Sequence, residues 1–230
     1  MAGKTLEVLA KATREAGTKL KTSTREDVYN GAKKARQMIL DAAKSNLEIN
    51  GNVNQKGERL IIDPLDSEIN YKRRISNWAI HTGVFNNEKL IAGTIYLPEN
   101  DIMITIEDES TRINGTKITF DNVVDRRNAL VAVHTNLVQG ISRKGRKPLI
   151  IDEITQEYGG LRLSGSIGAD IGAILRGEVD LIIVQNPDEL MLIGLNALLG
   201  AQAKTNLASR QILPQDLPIG IVKVGRIEFE

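Results

Sequence analysis

The residues with the most chemistry in this 230-residue chain lie between positions 60 and 71, LIIDPLDSEINY. An apolar run, Leu60, Ile61 and Ile62, leads into Asp63 and Asp66, three apart, and then into Ser67, Glu68 and Asn70. Two carboxylates at the end of a strand can share hard cations, and the carbonyl of Leu65 between them offers a further oxygen ligand. The plainer reading is that Asp66 caps a following helix by accepting an N–H bond. Glu68 bears on both. A third negative charge about 4 Å from the first two is repelled by roughly 4 kcal/mol at an effective dielectric near 20, so it either recruits a cation or turns anions away.

Other candidates are weaker. Gly165-Ser166-Ile167-Gly168 stands before a helical pattern; its backbone N–H groups suit an anion, or Ser166 is an ordinary cap. His81 and His134 fall at alternating positions of strand-like runs, where each is expected to pack rather than to act as base or ligand. Arg143, Lys144, Arg146 and Lys147, with Lys72, Arg73 and Arg74 elsewhere, read as solvated loops, or as an anion or RNA patch if they converge.

Composition excludes several classes. With 30 basic against 29 acidic residues the net charge is +1, so bulk charge makes no case for nucleic-acid binding. Aromatic residues at 3% leave little for base stacking. The chain has no cysteine, which excludes disulfides, thiol catalysis and thiolate metal sites and fits a reducing compartment. The N-terminal stretch is amphipathic and charged, unlike a signal peptide, and no apolar run reaches the roughly 20 residues that span a bilayer. The expectation is a cytoplasmic protein with no membrane attachment.

Elements that must position these residues are legible in the periodicity. Leu6, Leu9, Ala10, Thr13 and Ala16, then Asp27 through Ala35, Met38, Ile39 and Ala42, predict two opening helices. NGNVNQKG, 50 to 57, is a polar turn before the strand at Leu60. From Trp78 to His134 short β-rich runs, ending in ALVAVHT, predict a meandering, largely antiparallel sheet with turns at Asn86-Asn87, Pro98-Glu99-Asn100 and Asn114-Gly115. A helix near Ile150 to Tyr158 ends at Gly159-Gly160. LRLS and DLIIV then read as strands, SIGADIGAILRGE and PDELMLIGLNALLGAQ as helices, the last with Pro187 in its first turn. IGIVKVGRI closes as strand. Successive layers of helices and strands imply one α/β sandwich over 1–230, with an N-terminal α+β half at 1–140 and a C-terminal α/β half at 141–230.

These motifs together resemble the inositol monophosphatase family of metal-dependent phosphatases. The family's signature, an apolar strand ending in Asp-Pro-(Ile/Leu)-Asp-Gly-Thr-x-Asn, is similar to Asp63-Pro64-Leu65-Asp66-Ser67-Glu68-Ile69-Asn70. The likeness continues through Asn77 to Val84, Ile91 to Tyr96 and Ile113-Asn114-Gly115, and returns at Arg162-Leu163-Ser164-Gly165-Ser166 and Gly177 to Asp180. It implies a layered αβαβα sandwich, a homodimer, and Mg²⁺-dependent hydrolysis of phosphate monoesters. By the same resemblance Asp63 would bridge two Mg²⁺ ions, Leu65 would give its carbonyl, Asp66 would complete one ion, and Ser67, Glu68 and Ser166 would lie at the phosphate, with Asp63, Asp66 and Glu68 as the catalytic carboxylates.

The chain departs from that pattern at many positions. Asp27 is kept from an Asp-x-Val-Thr-x-x-Asp segment, but Lys33 stands where its last Asp belongs. A Gly-Glu-Glu segment is missing between Ser45 and Arg59, with Glu48 as a stand-in. The signature's Gly-Thr is Ser67-Glu68. A late Trp-Asp becomes Asp188-Glu189, so that Glu189, or Asp188, would be the remaining metal ligand. The pattern implies one Mg²⁺ ion or none, and two functions stay open. One is weakened or altered hydrolysis of a phosphorylated small molecule. The other is a catalytically inactive relative that binds a protein or RNA partner, of the transcription or ribosome-assembly type.

Overall fold

Spacings of three and four bring Leu9, Ala12, Ala16 and Leu20 onto one face of α1 (Ala2–Thr22), and Ala35, Ile39 and Ala43 onto one face of α2 (Val28–Leu47). Both faces bury against a sheet, together with Leu60, Ile62, Ile80, Val84 and Ala92. The computed structural model describes residues 2–47, 49–50, 53–54, 58–86, 89–134, 149–185, 187–205 and 221–228. Glu48, much of the polar turn at 50–57 and the basic loop 143–147 lie outside these.

The first sheet has eight strands in sequence order, each antiparallel to the next. They are β1 (Ile49–Asn50), β2 (Val53–Asn54), β3 (Arg59–Asp66), β4 (Ala79–Asn86), β5 (Lys89–Leu97), β6 (Ile102–Glu107), β7 (Ser110–Ile113) and β8 (Thr116–Ile118). The short helix α3 (Glu68–Lys72) joins β3 to β4. Between β7 and β8, Asn114 and Gly115 both have positive φ, 48° and 85°, as the two central residues of a tight hairpin turn require.

The second sheet has the order β10-β9-β11-β13-β12. Its members are β9 (Leu130–Val133), β10 (Gly160–Arg162), β11 (Leu181–Gln185), β12 (Lys204–Thr205) and β13 (Ile221–Gly225). β9 runs parallel to β10 and β11, while β13 is antiparallel to β11 and β12. This corrects the expectation that ALVAVHT continues the meander. Val131, Ala132 and Val133 are all fully buried, the unbroken apolar run of a strand covered on both faces rather than the alternation of a half-solvated one.

Between the sheets lie α5 (Ile167–Leu175) and α6 (Glu189–Gly200), packed against strands of both. All nine residues of α5 are buried, and apart from Asp170 they are apolar or glycine on every face. On the far side of the second sheet, α4 (Leu149–Glu157) contributes Ile154 to a cluster with Tyr158, Val131, Val133, Leu181, Ile183 and Ile227. The layers are therefore helix, sheet, helix, sheet, helix, the predicted αβαβα sandwich. Pro187 precedes the α6 N-cap, Asp188, instead of occupying the first turn. Among the described residues no helix is long and apolar enough to cross a membrane.

Candidate active site

As expected, the two carboxylates lie at the end of a strand: β3 takes in Asp63 to Leu65 and ends at Asp66. Asp63 sits opposite His81 on β4 and Asp66 opposite Ala79, with a shift of register between them. Residues three apart on a regular strand point to opposite faces. The irregularity at Pro64, which has no N–H for the ladder, brings both carboxylates to the same imidazole. Asp63 Oδ1 accepts the Leu65 N–H at 3.1 Å, closing a local turn within the bulge.

Asp66 does act as a cap, but not for the helix that follows it. α3 starts from Ser67, whose φ of 69° is left-handed and whose side chain makes no capping bond. Asp66 reaches across to the N-terminus of α5 instead. Its Oδ2 accepts the Ser166 hydroxyl at 2.7 Å and the Gly168 N–H at 2.8 Å, while Ser166 Oγ accepts the Ala169 N–H at 3.1 Å. Two of the helix's unpaired N–H groups are thereby satisfied, and a negative charge lies at its positive end. The anion position offered by Gly165 to Gly168 is filled from within the chain. Ser166 is fully buried.

His81 lies against the same carboxylate. Its Nε2 is 3.4 Å from Asp66 Oδ2, an ion-pair distance without hydrogen-bond alignment, and its Nδ1 has no hydrogen-bond partner. The ring is 1% exposed. Burial works to lower the His81 pKa, but contact with Asp66 and the charges of Asp66, Asp63 and Asp188 outweigh it and raise the pKa. The converse holds for Asp66: burial opposes ionisation, yet His81, the Gly168 N–H and the Ser166 hydroxyl hold its carboxyl below the usual range. Asp63 is pushed up, chiefly by burial, with the charges of Asp66 and Asp188 adding and His81 opposing.

The other expected site residues are distributed as follows. The Leu65 side chain is buried in the layer against α1 and α2. Glu68 is exposed on the first turn of α3. Asp188 accepts the Met191 N–H at 3.0 Å as the α6 cap and lies near enough to Asp63 and His81 to shift both. Glu189 begins α6; its side chain, like Glu48, lies outside the described residues. Asp27 caps α2 through the Asn30 N–H, and Lys33 is an exposed residue of that helix. Asn70 of the signature is a staple: its Nδ2 donates to the carbonyls of Asn77 at 2.6 Å and Ser164 at 2.9 Å, tying α3 to the approach to α5.

Two side chains of this buried cluster escaped the sequence reading. His81 was expected to pack, and it does, but onto the central carboxylate; only the register of β3 on β4 reveals this. Asp170, in the first turn of α5, is fully buried with neither carboxylate oxygen hydrogen-bonded. Burial raises its pKa to about 7, with Asp66 adding and Ser164 and Arg162 opposing. A lone acidic residue inside SIGADIGAIL was the available signal.

A Mg²⁺ ion demands about six oxygens in octahedral array at roughly 2.0–2.1 Å. Here one oxygen of Asp66 already accepts from two donors, and an imidazole lies 3.4 Å from it. Among the described residues no group of three His, Cys, Asp or Glu side chains is arranged to hold a metal ion. The donor set does not fit the two-ion centre that the resemblance implied.

The fold agrees with the comparisons to known proteins. The model of the inositol monophosphatase family matches residues 2–189, and the chain belongs to that family. A Nus factor SuhB from Buchnera aphidicola is 25% identical over 145 residues, 61% of this chain and 52% of the relative. A fructose-1,6-bisphosphatase/inositol-1-monophosphatase from Aquifex aeolicus is 27% identical over 128 residues, 53% of this chain and 46% of the relative. The chain thus matches about half the length of these curated relatives. Among solved structures, the inositol monophosphatase of Anabaena superposes with a TM-score of 0.81 at 18% identity, covering 98% of this chain and 91% of that one. At that identity the likeness speaks for the fold alone.

Proposed function

We propose that this chain is a non-hydrolytic member of the inositol monophosphatase family that works in the cytoplasm by binding, as a regulatory protein. The observation that carries this reading is the commitment of Asp66. A two-ion mechanism needs free carboxylates to place cations on the attacking and leaving oxygens. Asp66 is spent on the α5 N-terminus and on His81. Lys33 in place of an acid and Ser67-Glu68 in place of the signature's Gly-Thr support the same reading.

That one curated relative carries the name Nus factor SuhB supports a protein or RNA partner of the transcription type. A homodimer belongs to the same proposal. Ile69, Ile75 and Leu163 are 70%, 43% and 50% exposed beside the Asn70 staple, next to exposed Lys72, Arg73 and Arg74. Apolar side chains of this size left in water favour burial against a partner.

The test is hydrolysis. Pure protein incubated with Mg²⁺ and a panel of phosphate monoesters, inositol and sugar phosphates included, is expected to release no phosphate above a metal-free control. Turnover that requires Mg²⁺ and disappears in Asp63→Asn would restore the alternative, a weakened Mg²⁺-dependent phosphomonoesterase.

A further inference from the structure

Three carboxylates, Asp63, Asp66 and Asp188, bear on one side chain, the His81 imidazole. The His81 ring has Asp63 directly opposite it on the neighbouring strand and Asp66 in contact with its Nε2. Asp188 is close enough to act on it through its charge. The third wall is backbone: a Cβ added at Gly168 would lie 2.6 Å from His81 Nε2 and 3.2 Å from Cε1. Thus the ring is seated directly on the first turn of α5, at a position only glycine leaves open. With 1% exposure, the ring is closed off from water.

We propose that the His81 ring is a built-in plug standing in place of a divalent cation, so that its removal, with no added carboxylate, opens the Asp63, Asp66 and Asp188 cluster to metal. A ring that fills the space and approaches Asp66 with a nitrogen gives the carboxylates a partner that cannot dissociate. An ion that bound there would have to displace it from a packed interior, and interiors have little slack. Taking the ring away leaves a polar cavity lined by carboxylate oxygens, which suits hard ions such as Mg²⁺ and Mn²⁺. The inference rests on the non-hydrolytic reading in sharing its view of Asp66, but it concerns ion binding and is tested without an activity.

The experiment follows Mn²⁺ binding to the full chain by loss of the free-ion electron paramagnetic resonance signal. Wild type is expected to show no site that depends on Asp63. His81→Ser is expected to bind Mn²⁺ roughly tenfold or more tightly than wild type, the scale on which single changes around a metal act. Adding Asp63→Asn to His81→Ser should abolish the gain. His81→Asn, nearer in volume and still able to donate to Asp66, serves where His81→Ser does not fold by circular dichroism. Two results overturn the proposal: wild type binding an ion that Asp63→Asn removes, or folded His81 variants binding no more tightly than wild type. Failure of the plug leaves the hydrolysis assay unchanged, whereas Mg²⁺-dependent turnover by wild type sinks the functional reading whatever the Mn²⁺ result.

Discussion

Asp66 and Asp170, both buried, show what burial does to a carboxyl with and without partners. Asp66 has two hydrogen-bond donors and an imidazole and stays ionised; Asp170 has no hydrogen bond and its pKa rises to about 7 from an ordinary 3.8. Because the folded chain holds the Asp170 proton more tightly than the unfolded one, this stability is fully present below pH 4. It is lost as pH rises toward 7 and the loss levels off above that. Asp170→Asn removes the ionisation. The stability of the variant relative to wild type should therefore climb between pH 4 and pH 8, by an amount on the order of 4 kcal/mol. Thermal unfolding of both proteins across that range measures it, and parallel curves would contradict the assignment. Ser67 carries a different cost: its left-handed φ of 69° burdens a residue with a side chain, where the family signature has glycine.

The decisive contact between elements is α5 on β4. A Cβ at Gly168 would lie 2.5 Å from Ala79 Cβ as well as against His81, so it must push the helix start away from the strand and loosen the Asp66 cap. Gly168→Ala is expected to cost about 1–3 kcal/mol by overpacking, read as a lower denaturant midpoint. Gly172→Ala on the same helix is the control. Its Cβ would meet only the tips of Leu97 and Arg176 at 3.2 Å, and alanine is the better helix former, so stability should hold or improve. On the other face of the first sheet, Thr13 of α1 meets Thr82 and Thr94 of β4 and β5 in a buried ring of hydroxyls at 3.3, 3.1 and 2.6 Å. This ring fixes the rotation of α1 on the sheet, because each hydroxyl loses water on burial and must find its partner there.

For the whole molecule, a strap at the edge of the first layer holds the helices to the sheet. Glu99 accepts from Arg25 at 2.5 Å and from Trp78 Nε1 at 3.1 Å, and Arg25 lies 4.9 Å over the Tyr71 ring. Tyr71 in turn donates to the Leu20 carbonyl at 2.9 Å. The strap keeps α3 and its neighbours firm beneath the exposed Ile69 and Ile75, a rigid platform for a partner. If the proposed homodimer uses this face, light scattering on the pure chain gives twice the 25.3 kDa monomer mass, and Ile69→Lys with Leu163→Lys returns it to one. A monomeric wild type would leave those side chains to another partner and remove the dimer from the proposal.

What the sequence determined by itself is the layered fold, the helix faces of α1 and α2, the strand leading into Asp63, and the family. Local periodicity and a signature read along the chain carry that information. The sequence also showed that the metal pattern was broken, at Lys33, Ser67-Glu68 and Asp188-Glu189. Three things were decided only by tertiary structure. β9 leaves the meander for a parallel sheet, because burial on both faces depends on elements far along the chain. Asp66 caps α5, a hundred residues away from Ser166, instead of the helix beside it. His81, unremarkable on its strand, becomes the partner of both carboxylates, because a register between strands and a bulge at Pro64 place it there. A linear motif names the carboxylates; the groups that neutralise them come from other elements, and so folding rather than sequence decides whether they remain ligands.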